Sequence, residues 1–319
     1  MSVDVAVLRQ KLHGLEPDAY AEAIRDRLTD ADVRLARTPG EERDLLESAQ
    51  AATGATLDPS VLETAENLEL FACVYAGTDH LPMDDLADRG VAVTNASGVH
   101  GPNIAEHVVG AMLAFARRFP TAWRRGERRE WRSFSTREIK DSTVTVIGLG
   151  AIGTAVAERL EPFGVHTIGI RYTPEKGGPT DEVLGLESGD VHNALSRSEY
   201  VVVAAPLTDE TEGLIDGSAL LTMPSDAVLV NVGRGAIVDT DALVKTLQTN
   251  GIRGAALDVT DPEPLPPDHE LWSFDNVFVT PHNAGHTPRY WDRRADILAR
   301  NLAAVDETGQ FEDLENQVV

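Results

Sequence analysis

The chain has 319 residues, enough for two domains, and 42% of them are apolar, enough for ordinary globular cores. Its formal net charge of −24, from 52 Asp plus Glu against 28 Lys plus Arg, repels phosphate backbones and argues against nucleic acid as a partner. No stretch is long and apolar enough for a membrane span, the lone Cys73 allows neither an intrachain disulfide nor a Cys-based zinc site, and the His and acidic residues show no metal-ligand spacing, so neither a membrane nor a metal is expected.

The first elements alternate strand and helix. Residues 3–8 form a short alternating-to-apolar stretch with an early acid, Asp4, and without the basic region and long apolar core of an export signal; they predict a strand and, with the single cysteine, a cytoplasmic protein. Residues 17–29 predict a helix, 33–36 a strand, 41–49 a helix, 68–74 a strand ending at Tyr75-Ala76-Gly77-Thr78, and 91–94 a further strand. A long helix follows over 102–119, with Pro102 in its first turn, Ile104, Val108, Met112 and Phe115 at helical spacing, and Pro120 as its stop.

The stretch 123–140 and its leading edge are unusually basic for so acidic a chain: Arg117, Arg118, Arg124, Arg125, Arg128, Arg129, Arg132, Arg137 and Lys140. It is either a solvated face or a patch that meets an acidic surface of a second subunit; the prevalence of two-fold homodimers favours the second, and a homodimer is expected. Only Lys11, Lys140, Lys176 and Lys245 among the cations are lysines. An acid-rich, Lys-poor surface suits concentrated salt, where the screening length falls to about 3 Å at 1 M, so a halophilic protein is expected.

A second alternating series starts at Ser142. It contains strands at 143–147, 165–170, 200–204, 227–232, 254–259 and 277–280, six in all, and a last helix covers 289–308. The order predicts an α/β protein of two doubly wound parallel-sheet domains. A Rossmann cofactor domain at 98–285 is inserted in a flavodoxin-like substrate-binding domain formed by 1–97 and completed by 286–319. Two crossings of the chain, near 98 and 286, predict a hinge over a cleft.

Gly148-Leu149-Gly150-Ala151-Ile152-Gly153 is a G-x-G-x-x-G motif. It follows a predicted strand and opens a helix, the context that makes it a dinucleotide signal. Gly148 permits the tight turn, Gly150 lets a pyrophosphate approach the backbone, and Gly153 lets helix and strand pack closely, while the helix N-terminus offers amide donors. The second strand ends in Ile170-Arg171-Tyr172-Thr173, without the acid that binds the adenine ribose in NAD enzymes. A guanidinium there can pair with a 2′-phosphate, so Arg171 predicts NADP in preference to NAD.

Three later segments each follow a predicted strand: Asn231-Val232-Gly233-Arg234-Gly235, Asp258-Val259-Thr260-Asp261-Pro262-Glu263, and Thr280-Pro281-His282-Asn283-Ala284-Gly285. Ligands of open α/β sheets bind at that edge, so Arg234, Glu263 and His282 are the expected catalytic set. Arg234 can bind a substrate carboxylate with its planar fork of donors. His282 is placed to protonate a carbonyl oxygen, and Glu263 beside it to stabilise the imidazolium. Cys73, inside an apolar strand, reads as packing.

Together these segments resemble the D-isomer-specific 2-hydroxyacid dehydrogenases over nearly the whole chain, in order and spacing. The resemblance implies reduction of a small 2-keto acid to a D-2-hydroxy acid by hydride from NADPH or NADH. It implies substrate contacts from Ala76, Gly77, Arg234 and His282, with Tyr75 and His80 lining the pocket. Cofactor contacts are implied for Gly148, Gly150, Ile152, Gly153, Arg171, Pro206, Thr211, Val232, Gly233, Asp258 and Gly285, with Asp258 at the nicotinamide end. Asn103-Ile104-Ala105-Glu106 resembles the family's start of the interdomain helix. Formate-type relatives carry Gln where this chain has Glu263, which argues for keto-acid reduction. A nicotinamide-nucleotide-sensing binding protein of the same fold is the non-enzymatic alternative.

Overall fold

The computed structural model describes residues 4–9 and 16–319; Val3 of the first predicted strand lies outside the described residues. The chain divides into two compact units, Met1–Val99 with Thr287–Val319, and His100–His286.

The first unit is built on β1 (Val5–Val7), α1 (Pro17–Arg27), β2 (Val33–Leu35), α2 (Pro39–Leu46), β3 (Ala51–Gly54), α3 (Pro59–Leu62), β4 (Leu70–Cys73), α4 (Met83–Asp88) and β5 (Ala92–Thr94). The five strands are parallel in the order β2-β1-β3-β4-β5. Pro17 and Asp18 start α1, which buries Tyr20, Ala21, Ala23 and Ile24. That face packs with the C-terminal helix, Tyr290–Thr308, where Tyr20 stacks on Trp291 at 4.5 Å between centroids. The opposite sheet face buries Leu46, Leu62, Phe71 and Leu86. The tail returns to the sheet edge, where Val318 donates to the Val93 carbonyl at 2.8 Å.

The second unit runs through α5 (Gly101–Arg117), α6 (Phe119–Glu127), β6 (Thr143–Ile147), α7 (Ala151–Leu160), β7 (His166–Ile170), β8 (Glu182–Leu184), α8 (Ser188–Ser196) and β9 (Tyr200–Val203). It continues with α9 (Gly217–Thr222), β10 (Val228–Asn231), α10 (Thr240–Gln248), β11 (Gly254–Leu257) and β12 (Val277–Val279). Its seven parallel strands lie in the order β12-β11-β10-β9-β6-β7-β8, the doubly wound arrangement, with the order reversing between β6 and β9. Strands β9 and β10 are buried on both faces, as parallel strands covered by helices are. The α/β class with two parallel-sheet units is therefore the fold of this chain.

Three sequence expectations need correction. The second unit has seven strands, not six, because the three-residue β8 at the sheet edge carries no periodic signal. Strand β3 was not anticipated: Ala51-Ala52-Thr53-Gly54 has little intrinsic β preference. It forms because it pairs with β1 and β4 in the sheet centre, where small side chains fit under both helix layers. Pro120 does not stop the long helix. That helix ends at Arg117, Arg118 turns in the left-handed region at φ 55°, and Pro120 sits in the first turn of α6.

Candidate active site

The glycine motif lies where its spacing requires. Gly148 follows β6 at φ 94°, and a Cβ there would stand 2.6 Å from the Ala205 backbone. A Cβ on Gly153 would stand 1.9 Å from the Gly148 carbonyl oxygen, so helix α7 can pack against the turn only with glycine present. Nothing lies within 4 Å of a Cβ on Gly150: that position faces open space at the helix N-terminus. A cavity of about 450 Å³ begins there, lined by Gly148, Gly150, Arg171, Lys176, Pro206 and Thr211 among others. A glycine cradle, a free helix N-terminus and two cations along one cavity fit a phosphorylated dinucleotide.

Several predicted cofactor residues have internal partners. Arg171 donates from Nη1 to the Gly177 carbonyl at 2.6 Å, which holds the guanidinium at the cavity wall. Thr211, buried, donates to the Pro206 carbonyl at 2.7 Å and accepts from the Thr208 amide at 2.8 Å, fixing that turn. Ile152 is half-buried in the first turn of α7, and Val232 is buried beyond β10. Lys176 was not singled out in the sequence. Its rarity in this chain was the one available signal.

The three candidate catalytic residues follow three neighbouring strands, β10, β11 and β12. Arg234 leaves β10 in extended conformation, exposed, with Nη1 donating to the Gly233 carbonyl at 2.8 Å. The Asn231 side chain brackets this turn, accepting from the Gly233 amide and donating to the Arg234 carbonyl. A Cβ on Gly235 would stand 2.1 Å from the Thr260 carbonyl, so the turn packs directly on the loop after β11.

Glu263, between cis Asp261–Pro262 and Glu263–Pro264 bonds, accepts at Oε1 from Nδ1 of His282 at 2.6 Å. With the Nδ1 proton held by the carboxylate, Nε2 is the ring atom left to face a ligand. His282 adopts φ 51°, a left-handed conformation, and its amide donates to the Asp258 carbonyl at 2.8 Å. Among the described residues the Arg234 guanidinium makes no hydrogen bond to Glu263 or His282. The structure thus pairs two of the three and sets the third on the adjacent strand end.

Asp258 is more engaged than the sequence suggested. Buried, it accepts from Thr280 Oγ1 at 2.5 Å, the Asn283 amide at 2.8 Å and the Ala284 amide at 2.9 Å. It ties the His282 loop to β11. Helix α5 supports the same loop: Asn103 Nδ2 donates to the Ala284 carbonyl at 2.8 Å, and His107 Nε2 stands 3.4 Å from Thr280 Oγ1. His100 lies 3.6 Å from a Cβ on Gly285. These supporting roles were invisible in the sequence because the partners lie more than 170 positions away.

In the first unit, the loop Tyr75-Ala76-Gly77 leaves the carboxyl end of β4 and is exposed. The N–H groups of Ala76 and Gly77 make no hydrogen bond among the described residues. Tyr75 meets His80 edge to face at 5.5 Å, and His80 Nε2 stands 2.5 Å from the Ala55 carbonyl oxygen. Among the described residues there is no group of three or more His, Cys, Asp or Glu that could hold a metal, and no helix long and apolar enough to cross a membrane.

Residues 109–284 match the family described as D-isomer specific 2-hydroxyacid dehydrogenase, NAD binding domain. A glyoxylate reductase of Thermofilum pendens is 39% identical over 256 residues, which is 78% of this chain and 75% of that one. A D-3-phosphoglycerate dehydrogenase of Methanocaldococcus jannaschii is 32% identical over 287 residues, 89% of this chain but 51% of that longer protein. A D-isomer specific 2-hydroxyacid dehydrogenase from Xanthobacter autotrophicus, solved with NADPH and MES, matches 100% of this chain and 98% of that one. Its TM-score is 0.76 at 30% identity. The chain belongs to the D-isomer specific 2-hydroxyacid dehydrogenase family. It is an oxidoreductase of the NAD(P)-dependent class that acts on CH–OH groups.

Proposed function

We propose that this protein reduces a small 2-keto acid to the D-2-hydroxy acid, with NADPH preferred over NADH. The observation that carries the proposal is the 2.6 Å His282–Glu263 contact at a sheet edge that also presents Arg234. Arg234 binds the substrate carboxylate through its fork and polarises the carbonyl. The amides of Ala76 and Gly77, in the first unit, are proposed as carboxylate donors. The nicotinamide supplies the hydride. His282 gives the Nε2 proton to the carbonyl oxygen, and Glu263 stabilises the imidazolium before transfer and holds the ring in one tautomer. Asp258 fixes the loop that carries His282 and contributes to the nicotinamide end. Gly148, Gly150, Ile152, Gly153, Pro206, Thr211, Val232, Gly233 and Gly285 shape the dinucleotide site.

Arg171, with Lys176 on the same cavity wall, supports the NADPH preference, because a 2′-phosphate adds negative charge there. The acid excess supports function in concentrated salt. A cytoplasmic homodimer completes the proposal. The dimer is supported by the arm from Arg118 to Lys140, where Trp131 is fully exposed, Trp123 largely exposed and Phe119 partly exposed. The test is NADPH consumption with a panel of 2-keto acids in molar salt, repeated with NADH. A flat trace across the panel with both cofactors defeats the proposal.

A further inference from the structure

In the first unit, the C-terminal helix grips the end of β4. The Tyr290 hydroxyl donates to the Val74 carbonyl, and Nη2 of Arg294 donates to the Cys73 carbonyl. Positions 290 and 294 are one helical turn apart and share a face. The two carbonyls they hold are consecutive, immediately before the exposed Tyr75-Ala76-Gly77 loop. From the other side, Asn95 Nδ2 donates to the Ala76 carbonyl at 2.8 Å and the Ala96 amide to the Tyr75 carbonyl at 2.9 Å. Four consecutive carbonyls, from Cys73 to Ala76, are therefore held, while the Ala76 and Gly77 amides make no hydrogen bond among the described residues.

Arg294 is unusual in its surroundings. It is 1% exposed and lies among the apolar residues that join the C-terminal helix to the sheet. A guanidinium keeps its charge at any pH proteins meet, and burying one costs several kcal/mol unless it is paired. Among the described residues no carboxylate pairs with it, and its Nε and Nη1 find no protein partner. With no carboxylate paired to it among the described residues, its positive charge stands in an apolar setting at the root of the loop, where an anion held by the loop would feel it. Tyr290 is the neutral half of the grip, since burial pushes its phenol well above the usual range and keeps it a donor.

We infer that Arg294 is a specificity-determining positioning residue: with Tyr290 it sets the Ala76 and Gly77 amides, and its charge makes that loop select anionic over neutral keto substrates. The inference rests on the proposed reading of this loop as the carboxylate cradle.

The test compares 2-ketobutyrate with its neutral amide, 2-ketobutyramide, in the full-length protein and in Arg294→Met. The expected result is a roughly tenfold loss of kcat/KM for the acid, carried mainly by KM, with less than about twofold change for the amide. KM for NADPH should not move. Arg294→Lys should restore most of the preference for the acid. If Arg294→Met fails to fold, Arg294→Gln keeps a donor for the Cys73 carbonyl without the charge, and the same selective loss is expected. Equal losses on acid and amide would reduce Arg294 to packing and overturn the inference, as would unchanged kinetics on both. A native protein that turns over neither substrate defeats the parent reading, and the inference with it, before any variant is made.

Discussion

Nδ1 of His282 and Oε1 of Glu263 stand 2.6 Å apart although they are 19 positions apart in the chain. The contact exists because β11 and β12 are adjacent and parallel, so their following loops leave the same sheet edge. It also orders the imidazole: one nitrogen is committed to the carboxylate, and the other is presented.

His282→Ala should remove the proton donor. The loss in kcat is expected at about 10²- to 10⁴-fold with KM for NADPH little changed. Glu263→Gln should cost less than His282→Ala, since the amide can still accept from Nδ1 but no longer stabilises a cation. Steady-state kinetics on all three proteins checks both, and near-native turnover in His282→Ala sinks the assignment.

Arg234→Lys should impair both binding and rate, because a point charge cannot replace a planar fork. The measurement is kcat and KM for the keto acid. A variant with unchanged KM would place the carboxylate elsewhere.

Asp258 holds the His282 loop with three accepted hydrogen bonds. In Asp258→Asn the amide group must face at least one backbone N–H it cannot accept. A stability loss of about 1–3 kcal/mol is expected, together with a fall in kcat as the loop loosens. Denaturant titration and kinetics should move together; lost activity at full stability would instead place Asp258 in direct contact with the cofactor.

Arg171→Asp should shift the ratio of kcat/KM values from NADPH towards NADH, by removing a partner for the 2′-phosphate and adding one for the ribose hydroxyl. An unaltered ratio rejects Arg171 as the selector and leaves Lys176 as the candidate on that wall.

Salt should stabilise the fold. With 52 Asp plus Glu against 28 Lys plus Arg, lowering ionic strength lengthens the range over which the surface repels itself. The melting temperature is expected to fall from molar to millimolar salt. A level melting temperature would show that the acid excess is not an adaptation to salt.

The G-x-G-x-x-G turn, the α/β class and the alternation of strands were legible because they rest on local rules: glycine where a Cβ has no room, and apolar periodicity along the chain. What escaped was short or decided by neighbours. Strand β3 has a weak local preference and forms between β1 and β4; β8 is three residues long; and Pro120 opens a helix rather than closing one.

The amino-acid order alone determined which residue types stand at each strand end, since those follow from hydrophobic runs and the motifs after them. Tertiary structure decided which of them touch: Glu263 with His282, Asp258 with the loop at 280–284, and Arg294 with the end of β4. The reason is physical. Local propensity acts over a few residues, whereas these contacts depend on strand order and helix docking, which only the folded chain sets.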